Sequence, residues 1–152
     1  MNIFVLDNDI QKCVQYTVNR HVVKMVLETA QLLCSPFEKA PYKRTHYNHP
    51  CAVWSRSSKE NYKWLIEYGL ALSSEYTYRY EKVHKSSEVI KWCKDNVDLL
   101  DLEDKGLTLF AQAMPEEYRH SDPVIAYRMY YIHDKQHIAH WKKRDIPWWW
   151  SA

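Results

Sequence analysis

The chain contains two glycines, Gly69 and Gly106, in 152 residues, and only three phenylalanines. So few glycines, with apolar residues spaced for helices far more often than in alternation, predict an all-α fold. No P-loop, GxSxG, HxT pair or dinucleotide-binding fingerprint is present, which removes the best-marked nucleotide and hydrolase chemistries. The four cysteines, Cys13, Cys34, Cys51 and Cys93, form no CxxC pair and no zinc-ribbon pattern, and read as reduced thiols. No stretch approaches the ~20 apolar residues of a membrane span, and the opening MNIFVLDND has no basic leader ahead of a long apolar run. A soluble, cytoplasmic protein with no membrane partner is expected. An excess of one charge is missing as well: 21 Lys and Arg against 19 Asp and Glu give a net charge of +2. That balance permits nucleic-acid binding through a local patch without announcing it.

What is present is a chain that is 46% hydrophobic, enough for one core, with no linker to divide it. A single domain over residues 1–152 is expected, ending in an aromatic tail at 147–152. Seven Trp and twelve Tyr give most of the aromatic side chains a polar handle, as suits a core that opens onto a binding surface. Residues 2–6 read as a short extended lead-in, and Asp7 or Asn8 as the cap of a first helix. A long helix follows from about Asn19 to Cys34, stopped by Pro36 and Pro41. After the basic, aromatic loop KAPYKRTHYNHP, one helix starts near Pro50. Another runs from Ser57 or Ser58 to about Tyr80, with Tyr62, Leu65, Ile66, Gly69 and Leu72 on one side. Ser86 or Ser87 caps a shorter helix through Trp92, DNVDLLDLEDKG is an acidic connector, and Asp122 with Pro123 opens the last helix.

The long helix poses the main functional question. In HVVKMVLE, helical spacing puts His21, Lys24, Glu28 and then Gln31 on one polar stripe. Val22, Val26, Ala30 and Leu33 form one apolar row, and Val23, Leu27, Ala30 and Cys34 its neighbour. This predicts a helix buried around most of its circumference, with Val26 in the core. The stripe has two readings, the solvated edge of an amphipathic helix or a functional face. In the second reading Glu28 beside Lys24 is a plausible acid or base, and an α-amino group, partly neutral at physiological pH, is a candidate nucleophile.

Other groupings compete for attention. His133, His137 and His140 in HDKQHIAHW have spacings that place three imidazoles on one helical face, but the acidic partner of HExxH is missing and a solvated face accounts for them; no metal site is assigned. His46 and His49 in THYNHP have loop spacing and the same ambiguity. YTYRYEKVHK interleaves Tyr76, Tyr78 and Tyr80 with Arg79, Lys82 and Lys85, and YKRTHYNH repeats the pattern in a loop. Such mixtures can neutralise phosphates and stack on unpaired bases, or can be core tyrosines between solvated cations. Three consecutive tryptophans, Trp148 to Trp150, cannot all point into a core, so at least one should lie on the surface, near the basic groove.

Three stretches resemble the pyrimidine-dimer DNA glycosylase family, of the phage endonuclease V type, and a branch of phage-encoded proteins. His21 and Glu28 match that family's histidine and glutamate at the same separation on one helix. MPEEYR, Met114 to Arg119, resembles its proline, acidic, aromatic and arginine turn, and PWWW resembles its aromatic tail. The resemblance implies a helical DNA glycosylase with AP-lyase activity on a damaged or modified base. In such a protein the N-terminal amine attacks a sugar C1′ after the nucleotide is flipped out of the stack, and no cofactor is needed. It implies Met1, Asn2 and Glu28 as catalytic residues and Arg20, His21, Lys24, Lys43, Arg44, Arg119 and Lys135 as DNA contacts, mainly to phosphates, with Trp148 stacking on a base. Where the family has a small second residue, Asn2 should disfavour removal of Met1, leaving the Met1 amine as the equivalent nucleophile. Leu27 and Gln31 stand where the family has arginines, so two phosphate clamps are missing. The alternative is a non-catalytic helical phage protein that binds nucleic acid or a host protein on the same scaffold.

Overall fold

Six α-helices and three short 3-10 turns carry the regular structure of residues 1–151, which the computed structural model describes. The helices are α1 (Ile10–Tyr16), α2 (Asn19–Cys34), α3 (Pro50–Arg56), α4 (Lys59–Tyr80), α5 (Ser86–Asp95) and α6 (Pro123–Asp134). The fold is all-α, with no strand among the described residues. α2 packs against α3, α4 and α5, and α4 against α1 as well, so these two long helices form the middle of the structure. None of the described helices is long and apolar enough to cross a membrane.

Close approach of α2, α4 and α5 depends on Gly69. A Cβ placed there would lie 2.9 Å from Thr29 Cγ2 and 3.0 Å from Ile90 Cδ1, closer than side chains tolerate. Around this point Leu32, Leu33, Leu65, Leu72 and Ile90 are fully buried. The Tyr62 hydroxyl donates to the Leu33 carbonyl, which satisfies one end carbonyl of α2 from within the core. Cys34 and Cys93 face each other from α2 and α5 with sulfurs 3.7 Å apart, and all four cysteines are free and buried.

The lead-in is more deeply placed than its length suggests. Ile3, Phe4, Val5 and Leu6 are all buried, and their backbone polar groups find side-chain partners instead of a sheet. Leu6 N–H donates to Cys13 Sγ, Cys13 Sγ to the Phe4 carbonyl, and Arg128 Nε of α6 to the Leu6 carbonyl. The start of α2 has no capping side chain of its own. Its donors are taken up by the C-terminal segment, with Asn19 N–H on the His140 carbonyl and Val18 N–H on the Tyr131 hydroxyl. The two ends of the chain therefore close over the N-terminal end of the same helix.

Several boundaries differ from expectation. Asp9, not Asp7 or Asn8, caps α1 through bonds to Gln11 and Lys12 N–H, while Asp7 accepts from Asp9 N–H one step earlier. α5 reaches Asp95 instead of stopping at Trp92, and Ser86 and Ser87 lie within its first turn. α6 ends at Asp134, because Lys135 leaves the helical region and a 3-10 turn over Gln136–Ile138 follows. His133, His137 and His140 therefore share no helical face, and no grouping of metal-ligand side chains forms among the described residues. Arg79 is the largest correction. It is fully buried, paired with Glu75 at 2.8 Å and donating to the Val14, Gln15 and Thr17 carbonyls, so it closes the C-terminal end of α1 and reaches no phosphate. Arg144 joins the same carboxylate with two bonds, at 3.0 and 2.9 Å.

Candidate active site

The polar stripe on α2 is divided between core and solvent, with Lys24 exposed and Gln31 half-buried. His21 and Glu28 are each 6% exposed, whereas Val23 and Leu27 are 42% and 39% exposed. Burying a carboxylate without partners is costly and exposing an aliphatic side chain gains nothing, so packing alone does not choose this orientation. The other apolar row, Val22, Val26, Ala30 and Leu33, is buried as the spacing predicts.

The partner of Glu28 is the chain's own N-terminus. The Met1 amine lies 2.8 Å from Glu28 Oε1, and Lys24 Nζ lies 3.7 Å from Oε2. Among the described residues no group donates a hydrogen bond to Oε2, since Lys24 is beyond hydrogen-bonding distance and its side chain is 69% exposed. One carboxylate oxygen is thus engaged by the amine, and the other is buried without a hydrogen bond, 3.7 Å from the Lys24 ammonium. The Met1 side chain is buried while the residue as a whole is only half-buried, so the solvent it meets falls on its backbone, where the amine is.

Asn2 anchors that amine. Its Oδ1 accepts from Ile3 N–H at 2.8 Å and from the Tyr127 hydroxyl at 2.9 Å, and its Nδ2 donates to the Ala113 carbonyl at 2.8 Å. Cys51 Sγ on α3 also reaches Oδ1, at 3.6 Å. The residue after the amine is therefore fixed by α3, α6 and the extended segment before α6 at once.

His21 forms part of the floor. Its ring stacks on Phe4 with centroids 4.2 Å apart, and Nδ1 lies 2.8 Å from the Tyr131 hydroxyl. Burial pushes its pKa down to about 3, helped by the charges of Lys135, Lys24 and His137, so the imidazole is neutral near pH 7. Expected on an exposed face toward phosphates, it lies beneath the surface.

The remaining residues named from the sequence fall into separate places. Arg20 is exposed one turn before Lys24. Lys135 is half-buried, with its Nζ 4.9 Å from the Tyr130 ring centroid. Arg119 lines an open groove of about 620 Å³ with Pro50, Phe110, Gln112 and His120. Lys43 is exposed in the loop before α3, and Arg44 spends donors on the Ser35 and Phe37 carbonyls at the far end of α2. Trp148 is 78% exposed, as one tryptophan of the tail must be, while Trp149 and Trp150 pack against the core. It lies beside Arg128 and borders a groove with Gln15, Tyr16 and Arg144. Sequence reading missed Phe4, Tyr127 and Tyr131 as supports. The two tyrosines sit four residues apart on α6, and a paired tyrosine spacing on a buried helix face was the available signal, because buried hydroxyls require partners.

A family model described as pyrimidine dimer DNA glycosylase matches residues 1–89. The match takes in the lead-in and α1 to α4, including Met1, Asn2, Arg20, His21, Lys24, Glu28, Lys43 and Arg44, and leaves out Arg119, Lys135 and Trp148. No curated protein and no solved structure matches the chain.

Proposed function

The chain belongs to the pyrimidine dimer DNA glycosylase family, and on that premise we propose that it cleaves a damaged or modified nucleotide in DNA with its N-terminal amine as nucleophile and Glu28 as the assisting carboxylate. The observation that carries the proposal is the 2.8 Å contact between the Met1 amine and Glu28 Oε1. An α-amine loses its proton roughly two pH units below a lysine side chain, so it is the protein amine best suited to attack near neutral pH.

In this reading Glu28 takes a proton from the resting ammonium. The neutral amine then attacks C1′, the C1′–N1 pair departs with the pyrimidine, and a proton lost by the amine ends on the base. Glu28 returns its proton to O4′ as the sugar ring opens and the aminal becomes an iminium, and the freed carboxylate takes a C2′ proton as the 3′ phosphate is expelled by β-elimination. The carboxylate also offsets positive charge as it develops on the sugar. The nucleotide has to leave the stack to reach the amine, because C1′ is poorly accessible inside a duplex. Arg20, Lys24 and Lys135 are the cations placed to hold flanking phosphates, and His21 holds the floor in place.

Replacing Glu28 with Gln keeps the size of the side chain and removes its charge. Borohydride trapping on an abasic duplex should persist in E28Q, while strand cleavage should fall by roughly 100-fold or more. If E28Q cleaves as fast as the unmodified protein, Glu28 is a structural partner of the amine. If the unmodified protein neither traps nor cleaves, the alternative of a helical binding protein takes its place.

A further inference from the structure

His49 stands outside the residues assigned above, at the edge of the same site. We propose that His49 is the hydrogen-bond donor that stabilises the departing base, its neutral imidazole presenting Nε2–H to the pyrimidine O2 as the C1′–N1 bond breaks. The inference rests on the glycosylase reading and adds to it the group that faces the leaving base.

The tautomer follows from one hydrogen bond. Cys51 N–H can only donate, and it lies 3.1 Å from His49 Nδ1, so Nδ1 accepts and the ring proton sits on Nε2. Among the described residues no group accepts from Nε2, and the ring is half-buried, so this donor is held in place and unspent. The same Cys51 reaches Asn2 Oδ1 through its sulfur, which sets His49 two residues from a group that touches the amine's own anchor. His49 makes no hydrogen bond to the amine or to Glu28, yet its ring responds to both. Partial burial lowers its basicity first, then the N-terminal ammonium, then His46, while Glu28 opposes them. The ring therefore stays neutral, and the charges that act on it include those of the nucleophile and its carboxylate. At the next residue, Pro50, begins the open groove that Phe110 and Arg119 line.

The chemistry needs such a group. As the glycosidic pair moves onto N1, negative charge spreads to the adjacent O2, and a fixed donor at that oxygen lowers the barrier more than one that must reorganise. His49 keeps its proton throughout. The proton that neutralises the base comes from the attacking amine, so the balance of the reaction is unchanged.

His49→Ser retains a good helix-capping acceptor for Cys51 N–H and removes the Nε2 donor. Two duplexes separate the steps, one carrying a pyrimidine dimer, where a C1′–N1 bond must break, and one carrying an abasic site, where none remains to be broken. For H49S, cleavage of the C1′–N1 bond at the dimer should fall roughly 100-fold, the usual scale for one lost donor, while borohydride trapping on the abasic duplex should change by less than about threefold. His49→Asp, which also caps but opposes developing negative charge, should fall further than H49S on the dimer. Should H49S unfold, H49D, a strong cap with no donor when ionised, carries the same comparison. Equal losses on the two duplexes, or no loss on the dimer, would overturn the role of His49 while leaving the glycosylase reading intact. An unmodified protein inactive on both duplexes removes the reading and this inference together.

Discussion

The Tyr127 hydroxyl lies 2.9 Å from Asn2 Oδ1 and 2.6 Å from the Ala111 carbonyl, and accepts from Ala113 N–H, so one side chain of α6 holds the N-terminus against the segment that precedes that helix. Precise placement matters more for a nucleophile than for a core residue, since a displacement of about 1 Å can cost on the order of 100-fold in rate. Tyr127→Phe should therefore reduce single-turnover cleavage at least tenfold at temperatures where the fold is intact. Its stability should fall by only about 1–2 kcal/mol, the scale of a lost buried hydrogen bond. Comparing the cleavage rate with thermal unfolding of the same variant checks this. Proportionate losses would mean that Tyr127 contributes stability alone.

His21 makes stability depend on pH. Its folded pKa is lowered from 6.5 to about 3, chiefly by burial, so between those values the unfolded chain binds more protons than the folded one. Stability is then fully present above about pH 6.5 and is lost as pH falls toward 3, with a limiting slope near 1.4 kcal/mol per pH unit. His21→Phe, which can still stack on Phe4, should cost about 1 kcal/mol at pH 7 through the lost Tyr131 bond and should flatten the acid limb. Urea unfolding at pH 4, 5, 6 and 7 reads both effects. An unchanged acid limb in H21F would place the acid sensitivity in other groups.

The bounds of α2 were legible because sixteen residues carry a dense apolar pattern, and the predicted Asn19–Cys34 span is the observed one. Which side of α2 faces inward was less legible. A helical wheel assigns polar residues to water, whereas Glu28 is held inward by an amine 27 positions away and Val23 and Leu27 are turned outward in consequence. Arg79 was misplaced for a related reason: its acceptors are backbone carbonyls at the end of α1, and a bare carbonyl leaves no mark in residue types. The break after Asp134, which scatters the three histidines, also lacks a proline or glycine to announce it. The polar stripe made Glu28 a candidate acid or base and left an α-amine as a candidate nucleophile, and the resemblance brought Met1 and Glu28 together as catalytic residues.

Gly69 links packing to the site. Alanine there gains up to about 1 kcal/mol of helix propensity, but its Cβ meets Thr29 Cγ2 at 2.9 Å, on a short branched side chain with few ways to move. Overpacking of this kind costs about 1–3 kcal/mol. Gly69→Ala should therefore be a net loss of about 1 kcal/mol, and Gly69→Val a larger one. Thr29 adjoins Glu28, so cleavage should fall with stability. A higher unfolding temperature for G69A would show that α2 and α4 can separate freely.

The basic residues divide into two groups that salt can distinguish. Arg20→Ala and Lys24→Ala should each weaken DNA binding and lower the steepness of log affinity against log salt by about 0.9, the value for one phosphate contact. Arg44→Ala should leave that slope unchanged and reduce stability, because its guanidinium is engaged with the Ser35 and Phe37 carbonyls. Fluorescence anisotropy across a salt series decides between them. A changed slope for R44A would put the loop before α3 on the DNA.

The most direct test of the amine mechanism is to find the atom that bonds to the sugar. An abasic duplex is incubated with the protein, the iminium is reduced with borohydride, and the digested complex is mapped by mass spectrometry. The expected adduct is on the α-amine of Met1, and protein acetylated at that amine should trap nothing. Lys24 Nζ also lies near Glu28, at 3.7 Å, so it is the informative competitor. An adduct on Lys24, or trapping that survives a blocked N-terminus, would contradict the assignment of the Met1 amine as nucleophile.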